Sequence, residues 1–328
     1  MRRREFITLL GGAAAAWPLT AQAQQPTVPV IGYLYAGSPE TSAHLLAAFR
    51  KGLSESGYVE GCNVAIEFRW AHNEMDRLPE LAADLVRRGV SVIVAPGSIV
   101  GAVAAKAATM TIPIVFTTGI DPVGAGLVAS FNRPGGNVTG ITSMNLELGQ
   151  KRLGTLHELL PNATRFAALV LQQSAQQSEA LIQDMLAAAA ILNRQIEIVP
   201  VVSARDIDDA FASITAKKLE AAVVSPGPLF NNNRVQLAIL AARHGLPTIY
   251  SSREFAQAGG LMSYGPSITE EFRQGGIYCG RLLKGEKAAE LPVLRASNFE
   301  FIINLQTARA FRLEVPPALL ARADEVIE

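Results

Sequence analysis

The residues of this chain that could bind a small molecule are mostly polar or aromatic, and they stand where apolar runs end. Ser98 lies between the apolar run Val90–Ala95 and the helical pattern Ile99–Met110, where its hydroxyl could contact a ligand or cap the helix. Asp121 precedes Pro122 and could contact a ligand or cap the following turn. The complete set of candidate ligand-binding residues is Tyr35, Ser38, Ser98, Thr117, Thr118, Asp121, Gln173, Gly227, Ser251, Arg253 and Tyr264.

The sequence lacks the usual signatures of catalysis, nucleotide binding and metal binding. It contains no G-x-x-x-x-G-K-[ST] loop, no G-x-G-x-x-G after the first apolar run and no G-x-S-x-G motif. Its four histidines are far apart, and none has a second His or Cys at the spacing of a metal site. We therefore predict a binding protein rather than an enzyme, with no cofactor and no metal ion.

Apolar runs alternate with helical patterns along most of the chain. The alternation runs from Val28 to Thr117 and restarts after Thr142. Continuous apolar strands connected through helices favour parallel sheets that are covered on both faces. The predicted fold class is therefore α/β, with two doubly wound, Rossmann-like lobes. The elements after Leu261 are too few for a third domain, so we expect them to cross back between the lobes.

The composition is that of a globular protein. Hydrophobic residues make up 49% of the 328 residues, and 29 basic residues balance 29 acidic ones. This balance excludes a generally basic nucleic-acid binder, and we expect no nucleic-acid partner. The two cysteines, Cys62 and Cys279, cannot form a disulfide framework. We predict two buried free thiols, which would pair only if the fold brought them together.

The N-terminus has the layout of a secretory signal peptide over residues 1–23. Arg2-Arg3-Arg4 is a basic segment, an apolar stretch follows, and Ala21-Gln22-Ala23 is a cleavage site. The segment Arg3–Ile7 also resembles a twin-arginine signal, so the export route stays open between the two pathways. No cysteine follows the apolar stretch, so we expect no lipid anchor. The predicted mature protein is a periplasmic monomer that begins near Gln24.

Six segments together resemble the family of ABC-transporter substrate-binding proteins that includes tryptophan- and tyrosine-binding members. They are DPVGAGLVAS at 121–130, RPGGNVTG at 133–140, AGGLMSYG at 258–265, LKGEK at 283–287, FEFIINL at 299–305 and LARADE at 320–325. The resemblance implies the type I periplasmic-binding-protein fold, with two lobes joined by three crossovers. The expected division is 27–142 plus 266–300 for lobe 1 and 143–265 plus 301–328 for lobe 2.

The resemblance also implies a function: capture of a small solute between the lobes and delivery to an inner-membrane ABC permease with its ATPase. An exported sensing module that presents its closed form to a signalling receptor is the alternative. The lobes should close by a hinge motion at crossovers near Gly140–Met144, Tyr264–Ser267 and Glu300–Asn304. Loops after parallel strands then line the cleft, and helix N-termini that point into it suit a carboxylate.

The family pattern carries over to the first lobe better than to the second. Ser38, Ser98, Thr117-Thr118 and Asp121 match positions expected after its strands. In the second lobe, relatives often have Asn-Pro-Asn where this chain has Leu171-Gln172-Gln173. Relatives also often have an acidic residue, a partner for an amino acid's ammonium group, in the segment that is Ser225–Pro228 here.

The missing acidic residue affects the expected ligand. Asp121 is then the only evident counter-charge for an ammonium group, so the sequence slightly favours a planar or aromatic acid or amide over an α-amino acid. Arg253 could hold the anion or pair with a surface glutamate. Tyr35 could stack on a ring or pack in the protein, and so could Tyr264. Both ligand types stay open at this point.

Overall fold

The computed structural model describes residues 28–172, 175–296 and 298–328. The first lobe contains strands β1 (Val30–Tyr35), β2 (Ala65–Trp70), β3 (Val92–Ala95), β4 (Ile114–Thr118), β5 (Val138–Thr142) and β11 (Leu294–Arg295), with helices α1 (Pro39–Glu55), α2 (Leu78–Arg87), α3 (Ile99–Ala108) and α10 (Ile268–Leu283). The second contains strands β6 (Arg165–Leu171), β7 (Gln195–Val201), β8 (Ala221–Val224), β9 (Thr248–Tyr250), β10 (Met262–Pro266), β12 (Phe299–Asn304) and β13 (Glu325–Ile327). Its helices are α4 (Gly149–Leu159), α5 (Ala175–Ile191), α6 (Asp206–Ala216), α7 (Pro228–Asn232), α8 (Arg234–His244), α9 (Arg253–Gln257), α11 (Leu305–Ala310) and α12 (Pro317–Leu320). Single turns of 3-10 helix lie at Met75–Arg77 and Asn145–Leu148.

Each lobe is built on one sheet, and the first strand of the lobe in chain order is an interior strand of that sheet. The first sheet has the order β11-β5-β4-β3-β1-β2 and its pairs are all parallel. The second has the order β13-β12-β10-β9-β8-β6-β7, with β10 and β12 antiparallel. The strand order reverses at β1 in one sheet and at β6 in the other, which confirms the predicted pair of doubly wound α/β lobes.

Separate apolar clusters cover the two faces of each sheet. In the first lobe, one cluster gathers side chains of α2 and α3, and the other gathers those of α1 and α10. Helices α1 and α10 pack so closely that a Cβ on Gly52 would collide with the main-chain oxygen of Arg273. Glycine is therefore required at this crossing, and α10 is fixed in the first lobe although it follows strand β10 of the second.

The chain passes between the two sheets three times. The first passage follows β5, the second lies between β10 and α10, and the third lies between β11 and β12. The third passage thus comes a few residues before the expected Glu300–Asn304. The predicted residue boundaries of the lobes stay a prediction, as does the signal peptide 1–23, which lies outside the described residues.

Several elements differ from the sequence-based expectations. The helix expected over 232–244 is present as α8 but begins two residues later, and the short helix α7 before it was not expected. The short strands β5, β11 and β13 were not expected, because each is completed by a neighbour distant in sequence. Cys279 is buried, whereas Cys62 is exposed, which corrects the expectation that both are buried; both are free thiols. Across the described ranges, no helix is long and apolar enough to cross a membrane.

Candidate functional site

A cavity lies between the lobes at the carboxyl ends of their strands. We call it the main cavity; its empty volume is about 860 Å³ including the space at its mouth, which is within the range of small-molecule sites. The first lobe contributes Gly97, Ser98, Ile99, Thr118, Gly119, Ile120, Ile268, Glu271 and Phe272. The crossover after β5 and the second lobe contribute Ser143, Asn145, Leu146, Leu171, Leu181, Ser225, Pro226, Gly227, Pro228 and Asn231.

The first-lobe wall presents the start of a ten-residue helix. Ser98 is the N-cap of α3 and makes no side-chain capping bond in the described structure. Thr117, near the end of β4, holds the turn that precedes α3. Its Oγ1 accepts a hydrogen bond from the Gly97 main-chain N–H at 2.8 Å. The first turn of a helix carries unpaired N–H groups and the positive end of the helix dipole. This wall is therefore suited to a carboxylate.

A buried carboxyl group lies in the same cavity. Glu271 is in the first turn of α10 and is only 7% exposed. Burial raises the pKa of Glu271 to about 8, the neighbouring charge of Glu254 raises it further, and a hydrogen bond with the Ser143 side chain opposes both. A carboxyl group in this setting is largely neutral at pH 7, and a cationic group close to it would favour its ionised form.

A second, smaller cavity adjoins the main cavity. We call it the second cavity; its empty volume is about 490 Å³. Its walls are formed by Tyr35, Thr41, His44, Leu45, Gly97, Pro228, Asn231, Asn232, Arg234, Ser252, Glu254, Phe255, Ile268 and Phe272. Five of these residues also line the main cavity, so the two cavities have common walls: Gly97, Pro228, Asn231, Ile268 and Phe272.

One side chain connects the lobes beside the second cavity. Asn232 of the second lobe donates from Nδ2 to Oδ1 of Asn73 at 2.6 Å, and its Oδ1 accepts from Oγ1 of Thr41 at 3.3 Å. Both partners belong to the first lobe. These interlobe hydrogen bonds of Asn232 exist only when the lobes are near each other.

A buried arginine joins two of the crossovers on the other side of the main cavity. Arg152 of α4 donates from Nε to the main-chain oxygen of Tyr264 at 2.8 Å and from Nη1 to the main-chain oxygen of Asn145 at 3.2 Å. Its Nη2 bonds the Asn145 side chain. Burial lowers the pKa of Arg152 to about 9, and the nearby Tyr264 and Asp184 oppose that shift. Arg152 therefore fixes the relative position of two crossovers.

The structure brings part of the predicted site together. Ser98, Thr118 and Gly227 line the main cavity, and Tyr35 lines the second. Ser38 is the N-cap of α1, next to cavity-lining Thr41. Thr117 and Ser251 are buried at strand ends without lining either cavity. Gln173 lies outside the described residues. Their contacts with a ligand stay predictions.

Three other candidates line neither cavity and have partners in the protein itself. Both carboxylate oxygens of Asp121 accept main-chain N–H bonds from its own turn, at 2.9 and 3.0 Å. Arg253 forms ion pairs with Glu300 and Glu325. Tyr264 stacks on Phe299 with the ring centroids 6.3 Å apart. We leave these three residues out of the site proposed below.

The sequence reasoning missed the acidic residues of the cavities. It took Asp121 as the only evident counter-charge for an ammonium group, which is wrong because Glu271 lines the main cavity and Glu254 the second. A signal existed for both, since each glutamate lies in a helix that begins two or three residues after a strand's end. Among the residues described, no group of three or more His, Cys, Asp or Glu side chains is placed to hold a metal ion.

Comparisons with known proteins agree with this architecture. The tyrosine-binding protein of Clostridioides difficile (strain R20291) is 28% identical over 266 residues, which cover 81% of this chain and 76% of that protein. The structure of an ABC domain from Streptococcus pneumoniae in complex with L-Trp is 25% identical, with a TM-score of 0.82 over 91% of this chain and 99% of that one. A conserved domain protein from Vibrio cholerae has the same fold, with 23% identity and a TM-score of 0.83 over 91% of this chain and 99% of that one.

The family comparison covers most of the chain. The model of the family described as ABC transporter substrate binding protein matches residues 40–327, from the first helix of one lobe to the last strand of the other. The match therefore includes both cavity walls and all three crossovers. This chain belongs to the ABC transporter substrate-binding protein family.

Proposed function

We propose that this protein is the periplasmic receptor of an ABC importer. It binds an α-amino acid with a planar side chain between its lobes, and it delivers this solute to a membrane permease with its ATPase. Family membership and the cavity between the lobes support a binding role. The signal peptide predicted from the sequence supports export. The protein acts as a monomer and not as an enzyme.

The single observation that carries the amino-acid assignment is the buried carboxyl of Glu271 in the main cavity. A plain acid would bring its own negative charge next to this group, which would keep the Glu271 carboxyl neutral and offer the acid no charge partner there. An α-amino acid brings an ammonium group, which would pair with ionised Glu271. Its carboxylate has a separate place at the N-terminus of α3, near Ser98.

The walls of the main cavity suit an apolar, planar side chain. Ile120, Leu146, Leu171 and Phe272 lie around the polar groups, and Pro226 and Pro228 add rigid apolar surface. The names of two similar proteins point the same way, since one binds tyrosine and the other was solved with L-Trp. We therefore expect an aromatic amino acid, in place of the plain acid or amide that the sequence slightly favours.

Binding should close the lobes by a hinge motion at the three crossovers. Closure removes the ligand from water and strengthens each of its electrostatic contacts. Asn232 supports this motion, because its interlobe hydrogen bonds form only in a closed arrangement. Small-angle scattering should then give a smaller radius of gyration with ligand than without it; an equal radius with a tight ligand bound would contradict the hinge.

A thermal-shift series tests the ligand class directly. L-tryptophan and L-tyrosine are compared with indole-3-propionate and 4-hydroxyphenylpropionate, which lack the amine. A ligand at about 100 times its dissociation constant should stabilise the fold by about 2.7 kcal/mol. Stabilisation by the amino acids alone supports the proposal, and stabilisation by the plain acids alone refutes it. Loss of uptake on deletion of the gene tests the import role, whereas retained uptake with loss of a response to the solute would favour sensing.

A further inference from the structure

Three polar atoms in the second cavity are buried without a hydrogen-bond partner among the described residues. They are Oγ of Ser252, Oδ1 of Asn231 and Oε2 of Glu254. Ser252 is only 1% exposed. A buried polar atom without a partner costs about 1–3 kcal/mol, so three at one place indicate a surface built to meet a partner.

The chemistry of these atoms defines that partner. The carboxylate and amide oxygens only accept hydrogen bonds, and the serine hydroxyl can accept or donate. A ligand group that fits them must therefore donate. Because the atoms come from α7 and from the start of α9, the surface is assembled from two short helices of the second lobe.

The charges around the second cavity favour a neutral donor over a cation. Glu254 contributes a negative charge and Arg234 a positive one, and Arg234 donates from Nη1 to the main-chain oxygen of Asn231 at 3.0 Å. Burial lowers the pKa of His44, against the nearby charge of Glu254, so its ring is neutral at pH 7. The hydroxyl of Tyr35 is also neutral, since burial raises its pKa to about 12. The formal charges of Glu254 and Arg234 therefore balance, and the second cavity has no net charge that would attract a cation.

The two cavities lie side by side, because five residues line both. Phe272 lines both, and its ring centroid lies 6.1 Å from that of Tyr35, which lines only the second. We propose that the second cavity is a subsite for a neutral hydrogen-bond donor, a hydroxyl or an N–H, at the far end of the ligand's side chain, and that Glu254 and Asn231 set this specificity. The inference rests on the proposed function, in which the main cavity holds the amino-acid end.

Tyrosine and phenylalanine test the inference, because they differ by one hydroxyl. Titration calorimetry on the mature protein should give a dissociation constant roughly tenfold to a hundredfold lower for tyrosine. Glu254→Met removes the acceptor at similar size, and it should reduce this ratio to about threefold or less. Glu290→Met, at an exposed glutamate far along the chain, is the matched control and should keep the ratio. Equal affinities for the two amino acids, or a ratio that Glu254→Met does not change, would overturn the inference.

A probe without the amino-acid end separates this inference from the proposed function. Crystals soaked with p-cresol should show the ring in the second cavity and its hydroxyl within hydrogen-bond distance of Glu254, whereas toluene should not bind there. If neither amino acid binds but p-cresol takes this position, the subsite stands and the proposed amino-acid ligand fails. If the amino acids bind and p-cresol is absent from the second cavity, the subsite fails and the proposed function stands.

Discussion

Replacement of Glu271 by Gln should stabilise the ligand-free protein at neutral and alkaline pH. The pKa of the Glu271 carboxyl is raised from 4.5 to about 8 in the folded protein. Between these two values the unfolded chain gives up a proton that the folded protein keeps, so the free energy of unfolding falls as pH rises. At about 1.4 kcal/mol for each pKa unit, the loss is roughly 3 kcal/mol at pH 7 and at most roughly 5 kcal/mol above pH 8. Gln carries no charge and should remove this loss.

The same substitution should weaken ligand binding. An α-amino acid that pairs with Glu271 must find the carboxyl ionised, so its binding releases about one proton well below pH 8 and little above it. In Glu271→Gln the ammonium group loses its charge partner, and affinity should fall by about 2–5 kcal/mol. The variant is thus more stable without ligand and poorer at binding, a combination that ordinary damage to the fold does not produce.

Urea unfolding from pH 4 to pH 9 measures the stability, and calorimetry in buffers of different ionisation enthalpy measures the released protons. Asp121→Asn is the matched control, because Asp121 caps its own turn and lines neither cavity. It should leave amino-acid affinity unchanged. The reasoning fails if Glu271→Gln unfolds with the same pH dependence as the native protein, or if Asp121→Asn abolishes amino-acid binding.

Four further substitutions test the closure contacts, the crossovers and the helix packing. Asn232→Ala removes the interlobe hydrogen bonds and should speed ligand dissociation about fivefold to thirtyfold in stopped-flow measurements; an unchanged dissociation rate would contradict their role in closure. Arg152→Leu leaves buried main-chain oxygens of the crossovers unpaired, so it should lower the free energy of unfolding by about 3 kcal/mol or more. A urea midpoint equal to that of the native protein would refute this. Gly52→Ala should destabilise by about 1–3 kcal/mol because its Cβ would collide with the main chain of α10, whereas Gly154→Ala, in an open helical position, should stabilise by about 0.5–1 kcal/mol. The same sign for both glycine variants would contradict this account of the packing.

The alternation of strands and helices follows from the sequence because it depends on local patterns. Val92–Ala95 is a continuous apolar run, and a strand that is apolar on both sides needs a covered parallel sheet. Ser98 precedes a helical pattern, and it is the N-cap of α3. The positions of Ser98 and Thr118 in the cleft follow from the same logic, since loops after parallel strands meet at one edge of the sheet.

Other features depend on pairings between distant segments, and local patterns do not encode them. Strand β11 is only two residues long and exists because β5 lies beside it. The exposed position of Cys62 is likewise set by its surroundings in the fold.

The charge of the site was decided by tertiary structure. Asp121 has the residue type and position of a ligand contact, but its own turn supplies both hydrogen-bond partners. Glu271 resembles any acidic residue in the first turn of a helix, a position that is usually exposed. It is buried because the chain crosses back from the second lobe and lays α10 over the end of β4, where the crossover after β5 supplies Ser143 as its hydrogen-bond partner. Burial then sets the pKa of Glu271, since the free energy of a charge depends on the surroundings that the whole fold creates.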